Sequence, residues 1–128
     1  MTTVNCKQQA VQRLTESLNV NYEKNGAWCP PNRDPIEFLA EKEHELKASF
    51  VEPYKVESIP DSSACKLGDW QERPYEMFVL AKLKNKNGYD ALFINTETGL
   101  FSLGWINEDG RAGIIGYASD SALAEWVD

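Results

Sequence analysis

The sequence predicts an α+β fold, with two N-terminal helices and a short C-terminal helix packed on an antiparallel meander sheet of four to five strands. Three observations carry the prediction. Turn signals that each end in glycine recur at ten- to twelve-residue spacing, at Asn85-Lys86-Asn87-Gly88, Thr96-Glu97-Thr98-Gly99 and Asn107-Glu108-Asp109-Gly110. Asp34-Pro35-Ile36-Glu37 opens a helix, with a cap, a proline at the first helical position and a carboxylate three residues on. Val4, Val11, Leu14 and Leu18 form an apolar stripe at helical spacing. The chain of 128 residues, 42% hydrophobic and 26% charged, suits a single domain over residues 1–128 with a core of adequate size.

The first helix is expected from Thr3 to Leu18, capped by Thr2 or Thr3, and Asn19, Asn21, Asn25 and Gly26 stop it. The loop Asn25-Gly26-Ala27-Trp28-Cys29-Pro30-Pro31-Asn32 is rich in turn formers, and Trp28 within it reads as a lid over the core. The second helix draws apolar contacts from Ile36, Leu39, Leu46 and Phe50, and ends before Pro53. Its run Glu41-Lys42-Glu43-His44-Glu45 is solvated. Tyr54 to Ile59 reads as a short strand. Residues 60–74 form a long connection whose Cys65 and Trp70 fold back on the body.

Four strands follow, at Tyr75–Lys84, Tyr89–Asn95, Leu100–Ile106 and Arg111–Ala118. In the first, Met77, Val79, Ala81 and Leu83 make one apolar face, while Phe78 and Leu80 face the other way. Apolar residues on both sides imply that the second face is covered or used. Tyr89, Trp105 and Tyr117 are expected on one face, and Gly113 and Gly116 leave room for Trp105 or Trp126. Ser119-Asp120-Ser121 caps the terminal helix, where Leu123, Trp126 and Val127 pack on the sheet and Glu125 stays on the exposed side.

The net charge is −7, and its distribution is uneven: residues 89–128 set Arg111 against seven acids. A field of that sign repels phosphate backbones, which argues against nucleic acid, and it attracts a basic partner. No apolar run is long enough to span a bilayer and the N-terminus has no leader pattern, so no membrane is expected. Cys6, Cys29 and Cys65 form no closely spaced pair and read as reduced thiols in a cytoplasmic protein. A zinc site from these thiols and His44 lacks the usual ligand spacing. No metal and no cofactor is expected.

Catalytic patterns are also wanting. His44 is the single histidine and lies among glutamates, and no serine sits in a nucleophile elbow. Carboxylates pair at Asp69 with Glu72 and at Glu108 with Asp109, of which the latter lie in a predicted hairpin tip and read as solvated turn chemistry. Gly110, Gly113 and Gly116 match neither a phosphate loop nor a dinucleotide fingerprint.

The residues therefore favour a small acidic, non-enzymatic binding protein that occludes a basic protein partner, as an inhibitor or an immunity-type protein of bacteria does. Its contacts are expected at Asp90, Glu97, Glu108 and Asp109 near hairpin ends, with Glu41 and Glu45 as a second patch. Two alternatives stand beside it. One is a small-molecule pocket between helices and sheet, rimmed by Trp28, Cys65 and Trp70. The other is an assembly subunit that associates through a sheet edge or face.

Overall fold

A computed structural model describes residues 3–19, 31–32, 34–61, 70–71 and 73–127. Helix α1 spans Lys7–Asn19 and α2 spans Pro35–Ala48. Strands β1 (Phe50–Pro60), β2 (Tyr75–Asn85), β3 (Gly88–Asn95), β4 (Phe101–Asn107) and β5 (Ala112–Ser119) follow, then a short helix α3 (Ala122–Val127). The chain is α+β.

The sheet corrects the expected antiparallel meander. Successive strands do pair antiparallel, but β5 returns beside β1 in parallel, with Ser58, Ile59 and Pro60 opposite Ala112, Gly113 and Ile114. The five strands thereby close into a mixed barrel. Instead of three helices laid over one face of an open sheet, a helical layer covers part of the outside of that barrel. Turn residues dictate which strand comes next, and they hold no information about whether the first and last strands meet. Twist and tilt bring those two together, and closure satisfies edges that an open sheet leaves bare.

Closure explains why β2, β3 and β4 are apolar on both sides. Met77, Val79, Ala91, Phe93, Ile106 and Ile114 fill the barrel interior. The opposite faces of the same strands bury Phe78, Leu80, Leu92, Ile94 and Phe101 against Ala10 and Leu14 of α1, Phe38 and Leu46 of α2, and Leu123 and Trp126 of α3.

Register departs from simple alternation in β2. Val79 pairs with Phe93 and Ala81 with Leu92, so Leu80 is one extra residue. Such a bulge reverses which face later residues occupy. Ala81 therefore joins the helix-side core rather than the face of Met77 and Val79. Downstream, Lys82 and Lys84 reach the ring of Tyr89, at 4.6 and 5.1 Å from its centroid. A second irregularity lies between Phe50 and Tyr54, a stretch that includes Pro53. Proline has no N–H for a ladder, so an interrupted register accommodates it. Phe50 consequently belongs to β1 and is exposed, not part of the α2 stripe.

Three further expectations are corrected. Helix α1 begins at Lys7 rather than Thr3, because the Val4 N–H donates to the Thr96 carbonyl (2.7 Å) and the Val4 side chain is buried. Ala10 takes the core position expected of Val11, which is 46% exposed. Glu125 is buried instead of exposed, and its Oε2 accepts from Ser119 Oγ at 2.8 Å. The N-terminus of α2 is as the sequence indicates: the Phe38 N–H reaches the Asp34 carbonyl at 2.9 Å.

Candidate functional site

The register places one outward-facing row across four strands. Ile59 on β1 lies opposite Gly113 on β5, Gly113 opposite Trp105 on β4, and Trp105 opposite Asp90 on β3. Their chain neighbours Ser58, Ala112, Ile106 and Ala91 are buried, as alternation requires. Ile59 is 54% exposed and Ile115, further along β5, is 40% exposed. Trp105 is half-buried and Asp90 is exposed. The helix-packed residues of β3 and β4 (Leu92, Ile94, Phe101 and Leu103) occupy the other end of these strands. Neighbouring strands stand about 4.8 Å apart, so the row covers roughly 14 Å.

Gly113 is the floor of this face. A Cβ there would fall 2.3 Å from Cζ2 of Trp105, so the indole lies directly on the strand backbone. The sequence anticipates a ring on Gly113, and Trp105 is that ring. Tyr89 and Trp105 do not share a face, contrary to expectation. Tyr89 is opposite Ile106 and packs with the barrel interior, whereas Trp105 is opposite Asp90. The two rings flank an open groove of about 480 Å³ at the barrel end, lined also by Asn85, Lys86, Asn87, Ile106 and Asn107.

The electrostatics of this end differ from the uniformly acidic surface that the C-terminal residues imply. Asp90 accepts from Asn85 Nδ2 at 3.0 Å, which orients its carboxylate. Glu108 and Asp109 are exposed in the adjoining β4–β5 turn, where Asp109 pairs with Arg111 at 3.4 Å. Pairing of β2 with β3 also brings lysines here. Lys82 and Lys84 lie over Tyr89, and Lys82 also stands 5.4 Å from the ring centre of Tyr54. Leu83, not a lysine, lies opposite Asp90.

The remaining sequence candidates are scattered. Glu97 sits in the β3–β4 turn, at the far end of β3 from Asp90 and about 23 Å along the strand, and pairs with Arg73 at 3.9 Å. Glu41 is exposed on α2. Glu45 ties α2 to α3, since its Oε1 accepts from Trp126 Nε1 at 3.1 Å and lies 3.4 Å from Lys42 Nζ. Trp70 packs against the barrel-interior cluster, edge-on to Tyr75 at 4.9 Å. Trp28, Cys65, Asp69 and Glu72 lie outside the described residues, as does the side chain of Tyr117.

His44 is exposed on α2, and Cys6 is an exposed free thiol. Among the described residues no group of three or more His, Cys, Asp and Glu side chains is placed to hold a metal, and no helix is long and apolar enough to cross a membrane.

Sequence reasoning missed Ile59, Ile115 and the pairing of Trp105 with Asp90. The pairing was within reach, since a turn at Thr96–Gly99 sets Asp90 against Trp105 by counting outward. Ile59 was not, because its neighbour Gly113 is far away in the chain. No family model matches the chain, and neither a curated protein nor a solved structure matches it.

Proposed function

We propose that the protein is a non-enzymatic binding protein of the cytoplasm that engages a basic protein partner and acts by occluding it, in the manner of an inhibitor or immunity-type protein. The single observation that carries the proposal is the outward row Ile59–Gly113–Trp105–Asp90, where the exposed Ile59 and a half-buried indole adjoin an oriented carboxylate. Aromatic anchors with apolar neighbours and a charged rim are the usual composition of an energetic contact. The net charge of −7 steers a cationic protein toward it. Of the candidate acids, Asp90 lies in this row and Glu108 and Asp109 in the adjoining turn, which supports a role for them in the contact. Glu97 is at the other end of β3, and Glu45 is engaged by Trp126.

The test is a low-salt pull-down from the source cell with wild-type, Ile59→Asp and Trp105→Ala proteins, each checked for a native circular dichroism spectrum. A basic protein should be retained by wild type, released as salt rises, and lost from both variants. Its activity should fall on addition of the wild-type chain. Equal retention by all three proteins overturns the proposal.

A further inference from the structure

The geometry points to a guanidinium-binding site at Trp105 and Asp90, into which a basic partner inserts an arginine side chain. This deepens the proposed function and rests on it. Four observations converge. The Trp105 ring is seated on the backbone of Gly113, where a Cβ would clash with three of its atoms, so the indole is held as a platform along the sheet. Asp90 is its direct cross-strand neighbour, which sets the two Cβ atoms about 5 Å apart. Asn85 Nδ2 donates to Asp90 Oδ1, fixing the carboxylate, whose second oxygen is an acceptor for a further donor. The strand alternation after the Leu80 bulge places Leu83 opposite Asp90, while Lys82 and Lys84 are at the ring of Tyr89.

A planar cation fits this arrangement better than a compact one. Guanidinium stacks flat on an indole and presents a fork of N–H donors to a carboxylate beside it, whereas an ammonium has no flat face to stack and no paired donors to match both carboxylate oxygens. The groove along Asn87 and Asn107, whose lining also includes Lys86, leaves room for the peptide that bears the arginine. Arg111 does not supply the group from within the chain, because it is paired with Asp109 in the turn.

The experiment is an NMR titration of the full-length ¹⁵N-labelled chain with N-acetyl-arginine amide and, separately, N-acetyl-lysine amide. The arginine probe should shift the Trp105 indole N–H and the Asp90 and Gly113 amides saturably, in the millimolar range. The lysine probe should bind several-fold more weakly. Asp90→Asn should weaken the arginine probe about tenfold. Gly113→Ala should do the same by displacing the ring, with the remaining spectrum unchanged. Absence of saturable shifts at Trp105, or equal binding of both probes, overturns the site. The two proposals fail separately. A basic partner lost from Trp105→Ala protein that nonetheless binds no arginine amide leaves the docking face standing. An arginine amide that binds where no basic protein is retained removes the partner and keeps the site.

Discussion

Gly104 lies against the backbone of β5 and the ring of Phe93 in the barrel interior. A Cβ at that position would lie 2.0 Å from the Gly113 carbonyl oxygen and 2.4 Å from Phe93 Cε2. The first obstacle is backbone and cannot rotate away. Gly104→Ala should therefore cost about 3 kcal/mol or more in urea denaturation, at the upper end of overpacking effects. Gly110 makes a useful contrast. Nothing lies within 4 Å of its Cβ position, but its φ of +90° is one that side chains resist, so Gly110→Ala should cost only about 1 kcal/mol. Two of the four acids of α2, Glu45 and Glu41, also differ. Glu45→Ala deprives the Trp126 N–H of its acceptor and should cost about 1.5 kcal/mol, while Glu41→Ala, at an exposed position, should stay within about 0.5 kcal/mol of wild type.

The strands show how one added residue redirects a surface. Before the bulge, β2 sends Met77 and Val79 inward. After it, the lysines turn to the tyrosines at the barrel mouth and Leu83 stands beside Asp90. Without Leu80 as the extra residue, a lysine would lie next to Asp90 and cancel its charge. The segment ahead of α1 is another case of position overriding propensity. Val4 is pinned by its N–H on Thr96 and by burial in the helix-side core. Val4→Ala should cost about 2 kcal/mol, measured by thermal or urea unfolding, from two lost methyl groups and the space they leave. A cost near zero would mean that this segment is not docked.

The molecule as a whole has two apolar clusters that share the strands β2, β3 and β4 as a common wall. Damage to either cluster should therefore be felt by the other. Phe93→Ala inside the barrel and Leu46→Ala under the helices should each lower stability by about 3–5 kcal/mol. In both, tryptophan fluorescence and far-ultraviolet circular dichroism should lose signal in one coincident transition. Two separate transitions would mean that the helical layer and the barrel unfold independently. Association with a basic partner also belongs to the molecule rather than to a residue. The net charge of −7 acts over a Debye length, so the association rate should fall about tenfold or more between low salt and 0.5 M salt while dissociation changes less.

Local chemistry was enough to place much of this chain. The Asp34-Pro35 helix start and the glycines at 99 and 110, with φ of 70° and 90°, are short-range matters of sterics and hydrogen bonding. They are legible in the sequence because each involves residues a few positions apart. Closure of β5 onto β1, the reversal of β2 at Leu80 and the burial of Glu125 could not. Each depends on what arrives from elsewhere in the chain, and no residue announces it in advance. The candidate site divides along the same line. Asp90, Glu108 and Asp109 stand out as acids near turns, but their separation from Glu97 and Glu45, and their union with Ile59 across Gly113, follow from how the barrel is wound. A cross-strand neighbour is chosen by register and closure, which are cooperative properties of the packed core. The composition of any one strand holds too little of that information to reveal it.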